Sequence, residues 1–207
     1  MVYKGVDRQL YFLHGFAGSP DDWELVIGLL PEYDCQSLSY PFILPSRGVL
    51  IGYSMGGRIA IQAEVPKLLI SAHPGLKTEE ERSARKAQEE LWIEKLKTLT
   101  LQEFFQEWYA QSIFSSLTSH PNFPRIFERR LKNDPLVLLE QFKSHSLVSQ
   151  KSHHRNAIFL HGQYDDTYKK LYAGIASHEI PHAGHACHLE NPQATAEKIK
   201  LILNSIL

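Results

Sequence analysis

A serine in a Gly-x-Ser-x-Gly spacing is the residue of this chain best suited to chemistry. Ser54 stands between Gly52 and Gly56, after the apolar run Val49–Ile51 and before a small-residue pattern typical of a helix. This arrangement predicts a strand, a sharp turn and a helix, with the serine at the apex of the turn. Glycine is needed on both sides because a larger side chain would collide with the neighbouring strand or helix. The exposed hydroxyl could then act as a nucleophile or a base.

Two partners that an active serine needs follow it in the chain, an acid first and a histidine second. His185 follows a glycine and precedes a short turn and a final helix. Asp165 lies just beyond an apolar strand that ends at Gly162, with Asp166 as the alternate acid. A histidine takes the proton of Ser54, and the aspartate fixes the histidine tautomer and stabilises its charged form. The order serine, acid, histidine fits this catalytic arrangement.

Main-chain N–H groups for a developing oxyanion are expected from two places. One is Met55, which directly follows the serine. The other is Phe16, in the His-Gly-Phe turn after an apolar strand near the start of the chain. Both N–H groups would point at the oxygen of a reacting group.

Three histidines near the end of the chain also suggest a metal site. His182, His185 and His188 are spaced by three, which on a helix would place them on one face. Pro181 and Gly184 argue against a regular helix there, and no Glu-x-x-His or Cys-x-x-Cys spacing accompanies them. We therefore predict no metal site.

Composition limits the function classes. The chain has 207 residues, 43% of them hydrophobic, and a net charge of −1, which favours neither nucleic acid nor an anionic membrane as a partner. No apolar run approaches the ~20 residues that span a bilayer, and the first eight residues lack an apolar signal core. Cys35 and Cys187 are expected to be reduced thiols. We expect a soluble cytoplasmic enzyme for a small-molecule substrate.

Short apolar strands alternate with helices along much of the chain. This pattern predicts an α/β fold with a mostly parallel sheet and helices on both faces. Strands are predicted at Gln9–Leu13, Cys35–Tyr40, Gly48–Gly52, Lys67–Ser71, Asn156–His161 and Ser177–Ile180, and helices at Pro20–Pro31, Met55–Ala63 and Gln193–Ile206.

A long segment without strand patterns interrupts this alternation. Residues 74–152 are charged, amphipathic or aromatic at helical spacings, and we predict that they form an inserted helical lid. Residues 1–73 and 153–207 would then be the two parts of the α/β core. A lid over the carboxyl edge of the sheet is expected to build the substrate pocket.

The connection before the serine strand is unusually short. Only the seven residues Pro41–Arg47 join two strands that should be parallel, whereas a crossover normally takes a dozen or more residues. Seven extended residues reach about 23–25 Å, just beyond the roughly 20 Å of a six-residue strand. We predict that the helix before the serine strand is absent. Another segment or a partner chain, such as a second copy in a homodimer, would cover that patch of the sheet.

With these motifs in place, the chain resembles the α/β-hydrolase superfamily. Within it, the chain looks most like the SHCHC synthases (2-succinyl-6-hydroxy-2,4-cyclohexadiene-1-carboxylate synthases) of menaquinone biosynthesis. The most specific part lies in the predicted lid, because lids differ widely across the superfamily. The segments that carry the resemblance are Gly52–Arg58, Pro74–Leu76, Glu79–Lys86, Phe105–Leu117, Arg130–Asn133 and His185–Pro192.

The resemblance implies a lyase that eliminates pyruvate from an enolpyruvyl cyclohexene carboxylate without a cofactor. Ser54 would remove a ring proton, with His185 and Asp165 behind it. The substrate carries several carboxylates, which arginine binds with two parallel hydrogen bonds. The matching arginines are Arg58, Arg85 and Arg130, and the matching pocket-wall residues are Tyr53, Trp108 and Tyr109.

Some of these residues have a second interpretation. Arg85 and Arg130 lie beside other cations and would also suit a solvated helix face, Arg58 could point outward from its helix, and Trp108 and Tyr109 would also suit a core. The chain departs from the family in the missing helix and in a short or missing N-terminal hairpin before Gln9.

Two rival functions remain open. A carboxylester hydrolase, acting on a small or acyl-carrier-protein-linked ester, would use the same three residues to form an acyl-enzyme. It predicts an apolar acyl tunnel, whereas the lyase predicts arginines converging on the pocket. A non-catalytic binding protein on the same scaffold is the third hypothesis, and the intact serine, acid and histidine argue against it.

Overall fold

The core of the molecule is a six-stranded sheet in which every pairing is parallel. The computed structural model describes residues 8–150 and 156–206. The strand order is β2-β1-β3-β4-β5-β6. The strands are β1 (Gln9–Leu13), β2 (Asp34–Leu38), β3 (Val49–Tyr53), β4 (Lys67–Ile70), β5 (Ala157–Gly162) and β6 (Ser177–Ile180).

The central strands are buried along their whole length. All residues of β3 and β4 are buried, whereas the edge strand β2 has none fully buried. A parallel strand covered on both faces is expected to be a continuous apolar run, since neither face meets water. The predicted strand positions are confirmed, with ends that shift by one or two residues.

Helices cover both faces of this sheet, as the alternation predicts. Those outside the insertion are α1 (Glu24–Gly28), α2 (Met55–Ala60), α8 (Asp166–Leu171), α9 (Cys187–Glu190) and α10 (Pro192–Ile206). Because side chains alternate across a strand, Ile51 packs into the core cluster that contains residues of α1 and α10. Its neighbour Leu50 packs into the cluster with residues of α2 and α8. The predicted helix Pro20–Pro31 begins as a 3₁₀ turn and ends earlier, at Gly28.

A helical insertion lies between β4 and β5. Its α-helices are α3 (Glu79–Thr98), α4 (Leu101–Tyr109), α5 (Ser115–Thr118), α6 (Phe123–Arg130) and α7 (Pro135–Ser144). Thr78 and Thr100 begin α3 and α4, where each hydroxyl accepts the N–H of the glutamate three residues on. Phe104 and Phe105 are fully buried in the core cluster that includes Ile51, so the insertion shares a core with the sheet. The predicted end of the lid, at 152, lies outside the described residues.

The connection between β2 and β3 contains no helix within its described residues, 39–48. Phe42 and Leu44 of this connection instead pack against the core cluster of α2 and α8, beside Ile59 and Val65. Two apolar side chains on an extended segment thus cover sheet area that a crossover helix would otherwise cover. The short or missing N-terminal hairpin, expected before Gln9, falls mainly outside the described residues.

Two short helices were not anticipated from the sequence. The helix α8 has six residues and is capped by the preceding Asp165, whose side chain accepts the N–H of Tyr168. The four-residue α9 follows the candidate histidine. Both are too short for a helical periodicity to show, and packing decides them. In the described part of the chain no helix is long and apolar enough to cross a membrane.

A buried histidine joins three parts of the core. The His188 ring stacks on Trp23 with ring centres 4.3 Å apart and contacts Tyr53 at 4.4 Å. Neither ring nitrogen has a hydrogen-bond partner among the described residues. Burial lowers the pKa of His188 from 6.5 to about 3, against the opposing effect of Asp22. The ring is therefore neutral in the folded protein at ordinary pH.

Replacing His188 by Phe should flatten the acid dependence of stability. The unfolded chain binds this proton near pH 6.5 and the folded chain does not, so wild type loses stability as the pH falls below 6.5. Between pH 6.5 and 5 we expect wild type to lose about 1.5–2 kcal/mol more than His188→Phe. Urea unfolding at stepped pH measures this. The partly exposed His120, as His120→Phe, is the control, and equal slopes for wild type and His188→Phe would contradict the assignment.

Candidate active site

Ser54 occupies a strained turn between β3 and α2. Its φ of 49° and ψ of −112° lie where residues with side chains are rare. A Cβ at Gly52 would lie 2.6 Å from Gly57 Cα, and one at Gly56 would meet the His14 carbonyl oxygen. Glycine is therefore required here for close approach of the helix to the sheet. The turn holds the serine at the carboxyl edge of β3.

His185 and Asp165 form a buried pair. His185 Nδ1 donates to Asp165 Oδ2 at 2.9 Å, and both side chains are almost fully inaccessible to water. The other carboxylate oxygen accepts the N–H of Tyr168 at 3.1 Å. Because Nδ1 faces a carboxylate, the proton sits there and Nε2 is free to accept one. Asp166 is exposed at the first position of α8, so the geometry favours Asp165 over its alternate.

A second carboxylate holds the main chain on both sides of His185. The buried Glu190 accepts the N–H of Gly184 at 2.7 Å and that of Ala186 at 3.0 Å. It also accepts the hydroxyl of Ser116, from the insertion. The sequence resemblance contained Glu190 without a role for it. These three hydrogen bonds fix the turn that presents the imidazole.

Ser54 and His185 line one cavity between the sheet edge and the insertion. No hydrogen bond joins the two side chains within residues 8–150 and 156–206. The cavity combines apolar and cationic walls. Its lining residues are Phe16, Ser54, Met55, Arg58, His73, Arg85, Glu89, Trp108, Gln111, Ile113, Phe114, Gln141, Phe142, His145, Leu147, Tyr168 and His185.

The two residues expected to donate to an oxyanion lie at this cavity. Met55 is the first residue of α2, where main-chain N–H groups have no partner within the helix. Phe16 follows Gly15, at which an added Cβ would be 3.5 Å from Ser54 Cβ and 2.8 Å from the Tyr53 ring. The His-Gly-Phe turn therefore lies directly against the serine.

Arg58 extends from α2 into the cavity. Its Nη1 donates to the His145 carbonyl oxygen at 2.8 Å. Within the described part of the chain it forms no ion pair with a carboxylate. Burial and the nearby charge of Arg85 lower its pKa to about 10, which leaves it charged at neutral pH. A half-buried guanidinium without a carboxylate favours an anion beside it.

Arg85 reaches the same cavity from α3 but has a carboxylate partner. Its Nε donates to Glu89 Oε1 at 2.7 Å. The buried Glu89 also accepts the N–H of Leu147 at 3.0 Å and the hydroxyl of Ser146. Glu89 therefore orients Arg85 and ties α3 to the segment after α7.

Arg130 lies apart from the other two arginines, in a smaller neighbouring cavity. It forms two hydrogen bonds with the buried Asp22, at 3.1 and 2.7 Å, and its Nε donates to the Tyr109 hydroxyl. That cavity also contains Ser54 and Tyr53. The structure thus brings Arg58 and Arg85 to one cavity and Arg130 to another, and Ser54 lines both. Arg130 is buried rather than solvated.

The aromatic residues predicted to form the pocket wall also pack in the hydrophobic core. Tyr53 and Tyr109 are buried within the large core cluster, and both line the smaller cavity. Trp108 lines both cavities and contacts the Phe16 ring at 4.9 Å. Core packing and wall formation therefore coincide in these residues.

Sequence reasoning gave no site role to several side chains of the cavity. His73, Gln111, Gln141 and Tyr168 come from four separate segments and share no motif with Ser54. Burial raises the pKa of Tyr168 to about 12, so its hydroxyl stays protonated. In the described ranges no group of three or more His, Cys, Asp or Glu side chains could hold a metal ion.

Curated relatives align with most of this chain. A 2-succinyl-6-hydroxy-2,4-cyclohexadiene-1-carboxylate synthase of Enterobacter sp. (strain 638) is 29% identical over 235 positions, covering 94% of this chain and 91% of that protein. A putative synthase of the same name from Haemophilus influenzae is 28% identical, covering 92% and 95%. Both alignments are longer than this chain, so the relatives carry residues without a counterpart here.

Solved structures share the fold. MenH from S. aureus superposes with a TM-score of 0.85 at 19% identity, covering 99% of this chain and 96% of that one. A thermophilic esterase from Thermogutta terrifontis gives a TM-score of 0.70 at 16% identity, covering 98% and 91%. Residues 36–198 match the model described as the alpha/beta hydrolase family. By fold, by the strand–serine–helix turn and by this match, the chain belongs to the alpha/beta hydrolase family.

Proposed function

We propose that this protein is a SHCHC synthase-like lyase, which eliminates pyruvate from an enolpyruvyl cyclohexene carboxylate. The observation that carries the proposal is the cationic wall of the serine cavity. Arg58 lies there half-buried, and no carboxylate of the described residues forms an ion pair with it.

 The names of the curated relatives and the residues shared with that family support the same activity.

The three arginines differ in whether a carboxylate of the protein pairs with them. Asp22 pairs with Arg130 as well as with Arg129, and Glu89 pairs with Arg85. Arg58 has no carboxylate partner among the described residues, so its charge is left for a ligand. A substrate with several carboxylates supplies the missing counter-charge. The protein has a net charge of −1, so its attraction for an anion comes from this local arrangement.

In the proposed reaction Ser54 acts as a base through His185. The serine oxygen takes a proton from the ring as its own proton passes to His185 Nε2. The electron pair of the broken C–H bond forms the new ring double bond, and the C–O bond to the enolpyruvyl group breaks. The imidazolium gives up the proton as the enolate leaves and is protonated to pyruvate, so His185 returns to its neutral form and no water is consumed. Asp165 stabilises the imidazolium that forms during the transfer.

The alternative is a serine carboxylester hydrolase. The cavity has an apolar side, formed by Phe16, Ile113, Phe114 and Phe142, that would suit an acyl chain. The N–H groups of Met55 and Phe16 would then bind the oxyanion of a tetrahedral intermediate. The cationic wall favours the lyase, since an acyl chain gains nothing from a guanidinium.

The first test compares wild type with Ser54→Ala on two kinds of substrate. We expect serine-dependent release of pyruvate from the enolpyruvyl precursor and weak hydrolysis of p-nitrophenyl esters from acetate to octanoate. Ser83→Ala, on the exposed face of α3, is the control and should match wild type. Strong ester hydrolysis without pyruvate release would replace the lyase by the esterase.

Arg58→Ala tests the anion site. Removing a half-buried guanidinium that binds a substrate carboxylate should lower kcat/KM about 30- to 1000-fold, which corresponds to roughly 2–4 kcal/mol. Steady-state kinetics with the enolpyruvyl precursor measure the loss. Arg125→Ala removes an exposed arginine of α6 and should change kcat/KM little. Near wild-type kinetics for Arg58→Ala would show that Arg58 does not bind the substrate.

Glu190→Gln tests how His185 is positioned. A glutamine amide has a single acceptor oxygen, so it cannot accept the N–H groups of Gly184 and Ala186 in the same way. We expect kcat to fall about tenfold with little change in KM, together with a shifted pH profile of kcat/KM. Glu197→Gln, exposed on α10, is the control. A lower melting temperature with unchanged kcat and pH profile would make Glu190 a purely structural residue.

A further inference from the structure

One histidine of the cavity has no part in the proposed proton transfer. His73 lies three residues beyond β4, at the carboxyl edge of the sheet, and lines the same cavity as Ser54. Arg58 and Arg85 line that cavity as well. An imidazole beside two guanidiniums is unexpected if its only purpose is packing, because it is polar on two sides.

The main chain fixes which nitrogen of His73 carries the proton. The N–H of Gly75 donates to His73 Nδ1 at 3.0 Å, so Nδ1 acts as an acceptor. Gly75 has a φ of 120°, which only glycine adopts readily, and this turn aims its N–H at the ring. Gln150 Nε2 donates to the His73 carbonyl oxygen at 2.9 Å. The ring is therefore held in place as the tautomer with its proton on Nε2.

Burial and the charged groups around the ring keep it neutral. Burial first, and then the positive charges of Arg85 and Arg58, lower the pKa of His73 to about 4 against the opposing effect of Glu81. A neutral imidazole with Nδ1 occupied offers one donor, the Nε2–H group. That donor has no acceptor among the described residues and is not sealed away from the cavity.

We propose that His73 is a substrate-binding residue, whose Nε2–H group donates to an oxygen of the carboxylate held by Arg58. The inference rests on the proposed function for the carboxylate nature of the substrate. A carboxylate has about four lone-pair positions, so a guanidinium leaves acceptor capacity for a further donor. A neutral donor fills it without adding a third cation beside Arg58 and Arg85. His73 thereby selects for an oxygen acceptor in an anion that the arginines attract.

Two substitutions separate this role from a structural one. His73→Asn retains an acceptor near the position of Nδ1 for the Gly75 N–H and removes the donor to the cavity. His73→Gln retains an amide donor near the position of Nε2 and removes the acceptor for Gly75. A ligand contact requires the donor, whereas a role in holding the turn requires the acceptor. The two roles therefore predict opposite orders for the two variants.

The binding experiment uses propane-1,2,3-tricarboxylate as the probe and its uncharged trimethyl ester as the control ligand. Calorimetry at pH 7 should show at least tenfold weaker binding of the probe to His73→Asn and a change within about threefold for His73→Gln. The combined variant with Arg58→Ala should lose less than the two single losses together, since both residues would bind one carboxylate. The ¹⁵N shift of His73 Nε2 should move when the probe binds to wild type. Thermal unfolding checks that both variants are folded.

Four results would overturn the proposal. Equal binding of the probe by wild type and His73→Asn would show that the Nε2–H donor does not contact the ligand. Weaker binding by His73→Gln alone would show that His73 only holds the turn at Gly75. Equal losses of affinity in both variants would show that the contact is steric. If wild type does not bind the probe, the cavity contains no anion site. If the probe binds as expected but wild type releases no pyruvate from the enolpyruvyl precursor, the lyase proposal fails while the role of His73 stands.

Discussion

The close contact between β3 and α2 is the constraint on which the site depends. Gly52 and Gly56 let the helix approach the sheet so closely that Ser54 adopts a φ of 49°. Such a conformation persists only where the surroundings over-determine it. Here β3 is buried along its whole length between β1 and β4, and the His-Gly-Phe turn lies against the serine. The strain is therefore compensated by the packing of the turn against its neighbours, which positions the hydroxyl at the sheet edge facing the cavity.

Buried carboxylates organise the remainder of the site around that serine. Asp165 orients the imidazole of His185, and Glu190 holds the main chain on both sides of it. Asp22 and Glu89 do the same for two arginines, Arg130 and Arg85. A carboxylate that is fully hydrogen-bonded can be buried without a large penalty, and removing its partner leaves a costly charge. Of the three arginines expected to bind substrate, Arg58 is the one for which the described residues supply no such carboxylate, which is why the ligand charge is expected beside it.

The parts of the fold that the sequence predicted are those with a local signature. The strands are short apolar runs, and Ser54 lies in a motif of five residues, so neither depends on distant contacts. The acid could be narrowed only to Asp165 or Asp166, because burial and not spacing separates them. The pairing of Arg130 with Asp22 joins residues 108 positions apart, and no pattern along the chain encodes it. The helix α8 was missed for a different reason, because six residues carry too little helical periodicity to be recognised.

The short connection between β2 and β3 has a consequence for the site. Leu44, from that connection, lines a groove that also contains Arg58 and His145 of the serine cavity. The flank of Arg58 is therefore bordered by the extended connection and not by a crossover helix. What holds the insertion over the sheet at this side is a set of hydrogen bonds to main-chain oxygens, from Arg58 to His145 and from Gln150 to His73. These bonds join the insertion to the residues that follow β3 and β4, on the side of the cavity where a crossover helix is absent.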